Sequence, residues 1–148
     1  MPRVPINSRD EPPGRIAGID YGSVRIGIAI TDPLRTLASP YETYTRAGRE
    51  ADARHFRQLV HEEDIRLFVV GLPVHTGGEE SAKSLEARRF GKWLSEATGV
   101  NVEFFDERFT TVEAEQMLRE ANLSRKRRDK RRDKLAAQVI LAGYLEST

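Results

Sequence analysis

Apolar positions along this chain recur with two periods, and the change from one to the other outlines the fold. Over residues 14–33 (GRIAGIDYGSVRIGIAITDP) two apolar runs flank a break at Asp20-Tyr21-Gly22-Ser23. In the second run Ile26, Ile28 and Ile30 alternate with Gly27 and Ala29, the period of two that predicts a strand. The pair reads as a β-hairpin. Gly22 supplies a positive φ for its tight turn, and Asp20 ends its first strand. Residues 36–45 (TLASPYETYT) predict a weaker third strand, with Pro40 marking an edge or a bulge. Beyond them, Ala53, Phe56, Leu59 and Val60 stand at helical spacing within 50–63. The run RLFVVG (66–71) has the continuous apolar character of a parallel strand buried on both faces. Residues 79–97 predict a second helix whose stripe is Ala82, Leu85, Phe90, Trp93, Leu94 and Ala97, stopped by Gly99. NVEFF (101–105) is a fifth strand running into Asp106-Glu107-Arg108. Thr110, with Glu113 three residues on, forms a capping box for a helix with Ala114, Met117, Leu118 and Ala121 on its core face. The last helix ends near Glu146 and carries Ala136, Ala137, Ile140 and Tyr144 near one face.

Three β segments followed by α/β alternation predict an α/β fold, a mixed sheet with helices on both faces. Residues 1–13, with Pro2, Pro5, Pro12 and Pro13, read as a mobile leader, and 14–148 as one domain without internal repeat. A length of 148 residues suits one domain with a real core. The formal net charge is only +1 although 32% of residues are charged, so the molecule as a whole is not a polycation. The absence of cysteine excludes disulfides and thiolate chemistry and leaves carboxylates and histidines as ligand candidates. No apolar run approaches a membrane span and no apolar signal core opens the chain, so the cytoplasm is the expected location.

The acids then become informative. If the first and fifth strands are parallel neighbours, Asp20 and Glu107 share the carboxyl edge of the sheet, the usual site region of such folds. Asp133 lies one turn before Ala136 and Ala137 on the same helix face, so it points over that edge too. Asp129, one turn earlier, has no apolar anchor. Three converging carboxylates make a hard-oxygen site suited to Mg²⁺ or Mn²⁺. Two such ions can activate a water and stabilise the leaving oxygen of a phosphodiester. Structural roles compete with this: Asp106 and Glu107 as a helix cap or as partners of Arg108, and Asp133 as relief between Arg132 and Lys134. The run RKRRDKRRDK (125–134) is either a solvated loop or, through Arg127, Arg128, Arg131 and Arg132, a phosphate-binding surface beside the acids. His55 and His61 read as surface residues of a helix, and His75 sits in the loop after Leu72-Pro73.

Four motifs in order, GIDYGSVRIGIAITDP (18–33), VVGLP (69–73), DERFTTVEAEQML (106–118) and DKLAAQVILAGYLE (133–146), resemble the YqgF/RuvX family. Members of that family have the RNase H-like fold and are described both as Holliday junction resolvases and as pre-16S rRNA nucleases. The resemblance implies an RNase H-like five-stranded sheet and divalent-metal phosphodiester hydrolysis. It puts the catalytic, metal-binding acids at Asp20, Glu107 and Asp133, and phosphate contacts at Arg25 and Arg108. The implied partner is nucleic acid, either structured RNA or branched DNA, with no membrane. A four-way junction calls for a homodimer with two sites, whereas trimming of a precursor rRNA 5′ end needs only a monomer, and rRNA processing is the favoured reading. The chain departs from the family where His75 and Gly77 replace an Asn and an Asp after GLP, and its leader is additional. Two other classes compete. Actin-like ATPases and sugar kinases use a similar Asp-x-Gly hairpin against ATP but need two such domains. A nucleic-acid-binding module without catalysis would not need the acids.

Overall fold

The period-two segment pairs with itself as expected. In the computed structural model, which describes residues 13–73, 81–109, 116 and 129–148 (129–132 by backbone only), β1 (Arg15–Asp20) runs antiparallel to β2 (Arg25–Thr31). β2 then pairs antiparallel with β3 (Ala38–Thr45), and the register slips between Ile28 and Ala29, where Pro40 faces Ala29. The proline expected at an edge or a bulge thus sits at both. β4 (Ile65–Leu72) lies parallel to β1, and β5 (Val102–Asp106) parallel to β4, which gives the order β3-β2-β1-β4-β5. β1 and β5 are therefore not neighbours, contrary to expectation. β4, apolar throughout its inner positions and paired on both sides, lies between them.

Alternation along the central strands divides the core. Ala17, Ile19, Ile26, Ile28, Phe68 and Val70 point to one face, where Phe56 and Leu59 of α1 (Arg49–Glu63) and Ala87, Phe90 and Leu94 of α2 (Ala82–Thr98) cover them. Ile16, Ala29, Leu67, Val69 and Phe105 point to the other, beneath Ala137, Ile140 and Leu141 of α3 (Asp129–Ser147). Ser81 caps α2, accepting from the Ser84 N–H at 3.0 Å, and Gly99 ends it at φ 75 in the left-handed region. Among the described residues no helix is long and apolar enough to cross a membrane.

Several expectations need correcting. The inward stripe of α2 is Ser84, Ala87, Phe90, Gly91 and Leu94, while Leu85 is 45% exposed and Ala82 is exposed. Near its start the helix buries the small Ser84 and Ala87 and turns Leu85 outward. Gly22 does not take a positive φ; among the described glycines only Gly14, Gly48 and Gly99 do. Gly22 is needed for close approach instead, since a Cβ there would lie 2.3 Å from the Arg25 carbonyl oxygen. His55 is no plain surface residue. Its ring stacks on Tyr44 with centroids 3.9 Å apart, and Nε2 lies 2.7 Å from Glu42 Oε1. The leader up to residue 12, His75, the helix expected from Thr110 with Glu113, and Arg127 and Arg128 fall outside the described residues, as do the side chains of Asp129, Arg131 and Arg132.

The apposition of α3 to the sheet is unusually close. A Cβ on Gly27 would stand 2.0 Å from the backbone oxygen of Asp133, and one on Gly18 2.7 Å from Leu141 Cβ and 3.1 Å from the Ala137 oxygen. Gly27→Ala must therefore push a helix backbone off a strand. It is expected to lower the unfolding free energy by about 3 kcal/mol, the upper end of overpacking costs, read as an earlier midpoint in urea denaturation. An unshifted midpoint would show that α3 is not held at this distance.

Candidate active site

One concave site at the carboxyl edge of the sheet brings together residues from four parts of the chain. Asp20 closes β1, Gly71 lies near the end of β4, Glu107 opens a 3₁₀ turn (Glu107–Phe109) directly after β5, and Asp133 comes from the first turns of α3. All four line a cavity of about 350 Å³ together with Tyr21, Arg25, Lys83 and Glu86. The sequence-predicted acids Asp20, Glu107 and Asp133 thus share one cavity. Glu107 reaches it across β4 because Gly71 has no side chain: a Cβ at 71 would be 3.1 Å from Glu107 Oε2.

The three acids are held differently. Asp133 is 8% exposed, and its Oδ2 accepts from Arg25 Nε at 2.9 Å. The structure therefore assigns Arg25 an orienting contact to a carboxylate within the site, in addition to any contact with phosphate. Asp20 is the cross-strand partner of Gly27, the residue on which the Asp133 backbone rests, so the two acids are set side by side by one strand pair and one helix contact. Burial raises the ionisation of Glu107 above the ordinary glutamate value, and the negative charge of neighbouring Asp106 raises it further. Asp106 itself is turned away and serves Arg108. It accepts from Arg108 Nε at 2.9 Å, from Nη2 at 2.6 Å and from the Arg108 N–H at 2.9 Å, and these bonds hold its carboxyl below the usual range. Arg108 is thus tied to Asp106 and does not line the cavity.

Lys83 and Glu86 were not apparent from sequence. Both project from the outer side of the first turns of α2 into the cavity. The available signal was Ser81, an N-cap placed soon after the end of β4, which starts the helix at the carboxyl edge. Asp52 was also missed. It is fully buried and accepts from Tyr44 Oη at 2.7 Å, Arg46 Nε at 3.1 Å and the Ala47 N–H at 2.9 Å. Burial pushes its ionisation up, but these bonds outweigh the burial and keep it below the ordinary aspartate value. Arg46 also donates from Nη1 to Tyr21 Oη at 2.9 Å and from its backbone N–H to the Val24 carbonyl at 2.9 Å, pinning the hairpin loop that follows Asp20.

As they stand, the carboxylates line the cavity without closing on one point, and among the described residues no three acidic or histidine side chains form a ready metal cluster. The donor set nonetheless fits a hard cation. Mg²⁺ retains several waters and uses one or two carboxylates, and a buried glutamate with a raised ionisation gains from a positive partner.

A mixed five-stranded sheet of this order, with acids gathered at its carboxyl edge, defines an RNase H-like protein. Solved structures agree on the fold: Thermus thermophilus RuvC in complex with Holliday junction substrate (TM-score 0.51, 14% identity, 90% of this chain and 96% of that one) and the fowlpox virus Holliday junction resolvase (TM-score 0.54, 11% identity, 90% and 99%). The chain belongs to the RuvX family, described as Holliday junction resolvase, whose model matches residues 14–147. Relatives carrying the name "Putative pre-16S rRNA nuclease" include those of Rhodopirellula baltica, 47% identical over 99% of this chain and 86% of the relative, and Koribacter versatilis, 40% identical over 90% and 87%. The family model begins at residue 14, whereas the match to the Rhodopirellula protein extends over nearly the whole chain.

The raised ionisation of Glu107 makes a signed prediction. Folding penalises its charged form, so the contribution of this group to stability is fully present below the unfolded value and is lost as pH rises through the folded one. Glu107→Gln keeps a neutral side chain at every pH. In metal-free protein the variant should melt above wild type at neutral pH, with the difference vanishing below the ordinary value of 4.5. Thermal midpoints measured across pH test this, and parallel curves for the two proteins would contradict it.

Proposed function

We propose that this protein is a divalent-metal-dependent nuclease that hydrolyses phosphodiester bonds in 5′-end processing of precursor 16S rRNA, with residues 14–148 acting as a single domain in the cytoplasm. The observation that carries the reading is the cavity in which Asp20, Glu107 and Asp133, from three separate elements, meet at the carboxyl edge of an RNase H-like sheet. Mg²⁺ or Mn²⁺, when bound, supplies Lewis-acid chemistry at phosphoryl oxygens and activates water for attack. Asp20, Glu107 and Asp133 would hold it. Arg25 keeps Asp133 aimed into the cavity, and Lys83 offers a cation to a phosphate lying there. Arg108, beside the cavity, and Arg127, Arg128, Arg131 and Arg132, on the run leading into α3, are assigned to the flanking phosphates. The names carried by the relatives support rRNA as the substrate. The family's description as Holliday junction resolvase supports a second reading, cleavage of four-way DNA, which needs a homodimer with two such cavities.

The deciding experiment offers purified protein matched precursor rRNA and four-way junction DNA with Mg²⁺ or Mn²⁺. Metal-dependent cutting of the RNA is expected; cutting of the junction alone would transfer the assignment to the second reading, and cutting of neither would end both. Asp20→Asn keeps the shape of the side chain but removes its charge, and should abolish cleavage while circular dichroism stays unchanged.

Asp133 and Asp129 provide a sharper contrast. Both are on α3, one turn apart, and Asp133 is buried against the core and lines the cavity. Asp133→Asn should lower single-turnover cleavage at saturating metal at least about a hundredfold, the low end for a well-placed catalytic group. Asp129→Asn should leave cleavage within about threefold, the scale on which surface substitutions away from such features act. The reverse result would remove Asp133 from the site.

A further inference from the structure

A second, smaller groove opens beside the acid cavity and shares two of its walls. It has a volume of about 190 Å³ and is lined by Tyr21, Arg46, Arg49, Glu86, Arg89, Phe90 and Trp93, of which Tyr21 and Glu86 also line the acid cavity. The groove therefore starts at the residue next to Asp20 and leads away across the N-terminal part of α1 and the outer side of α2, on the opposite side of the sheet from α3. Its floor is aromatic. The ring of Tyr21 lies 4.7 Å from that of Phe90, and the indole of Trp93 rests 5.5 Å from Phe90 at a 36° tilt. Arg46 is built into this floor. Its guanidinium sits 5.4 Å over the Tyr21 ring and is neutralised by buried Asp52. The other two arginines differ. Arg49 and Arg89 are exposed, come from different helices, and make no ion pair or hydrogen bond among the described residues, although Glu86 stands in the same groove.

Two uncommitted guanidinium groups above an aromatic floor match the chemistry that binds single-stranded nucleic acid: cations follow the phosphates while ring faces receive bases of any identity. A duplex offers its phosphates to such a groove but keeps its bases stacked inside. A folded acidic protein would gain from the arginines but not from a tryptophan recessed between helices. We propose that this groove is a second nucleic-acid subsite, which seats unpaired nucleotides flanking the scissile phosphate, with Arg49 and Arg89 on phosphates and Trp93 against a base. The proposal rests on the nuclease reading and extends it: the enzyme would act where a strand leaves a duplex, since one side of the acid cavity continues into a single-strand path.

Trp93 is the chain's single tryptophan, so its fluorescence reports on this groove directly. Full-length protein in EDTA, where no strand is cut, is titrated with an unstructured RNA 12-mer and with a blunt duplex of the same length. Saturable quenching by the single strand, with little from the duplex, is expected. In Arg49→Gln/Arg89→Gln protein the quench should weaken, and the slope of log K against log salt should fall by about 1.4, at about 0.7 for each lost single-strand contact. Circular dichroism checks the fold of the variant. If a mobility shift shows that RNA binds but Trp93 is not quenched, or if the slope is unchanged in the variant, the groove is not the path. Metal-dependent cleavage by the same protein would then leave the nuclease reading intact. Equal quenching by the duplex overturns the choice of occupant. If RNA neither binds nor is cut, both readings fall.

Discussion

Where α3 crosses β2, the carbonyl oxygen of Asp133 takes the space that a side chain at position 27 would need, and further along Leu141 and Ala137 do the same over Gly18. Helices usually meet sheets through side chains. Here a helix backbone lies against strand backbone at two glycines, and its position is fixed by hard contact, which is far steeper with distance than apolar burial. The acid on the first turns of α3 inherits that precision. Because Gly27 is also the cross-strand partner of Asp20, the same contact sets the placement of two carboxylates relative to one another. Gly71 extends the logic to the third, since Glu107 passes over β4 only because nothing projects there.

Gathering carboxylates in a half-enclosed space is electrostatically unfavourable, and the fold distributes the cost unevenly. Asp133 has a guanidinium at 2.9 Å, and Asp106, next in sequence to the site, is turned outward to Arg108. At Glu107 both burial and the charge of Asp106 act against ionisation. Glu107, over β4, is thus the acid of the three whose ionisation is disfavoured. Stability alone would favour an apolar residue there. A carboxylate placed there against both effects fits the proposed metal-binding role, in which a hard cation displaces the proton.

The strands, the order of the described elements and the positions of Asp20 and Asp133 at the carboxyl edge were legible because each rests on local pattern: alternation at Ile26, Ile28 and Ile30, the apolar run ending at Gly71, and the helical stripe of Ala137 and Ile140. The relations between strands were not. Nothing local says that β4 separates β1 from β5, because strand order follows from crossover connections, and Glu107 was brought to the site on the wrong premise of adjacent strands. Gly22 was misread as backbone freedom, whereas the Arg25 carbonyl leaves no room for a side chain there. Gly27 was rightly placed in the alternation of β2, but nothing local showed that a helix backbone distant in sequence rests on it. The register of α2 slipped as well. Leu85 outranks Ser84 in hydrophobicity, yet the helix buries Ser84 with Ala87 and leaves Leu85 exposed. Asp52 gave no signal at all, since a buried carboxylate is defined by partners that come from elsewhere.

Those partners connect the core to the chemistry. Asp52 lies out of contact with solvent, and its charge is tolerable only because Tyr44, Arg46 and the Ala47 N–H surround it. Arg46, fixed by that carboxylate, holds the loop after Asp20 at two points, the Tyr21 hydroxyl and the Val24 carbonyl. The loop therefore cannot move independently of α1. On its other side Arg25, which begins β2 just beyond the same loop, grips Asp133. A short hairpin connection is thus clamped from both faces of the sheet by two arginines, each neutralised by an acid from a different helix. The two pairs answer different needs: Asp52 is sealed off so that the loop keeps one position, whereas Asp133 is left open to the cavity. What distinguishes the sealed carboxylate from the one in the candidate site is therefore not its partner, since both have arginine, but whether the space beside it is filled.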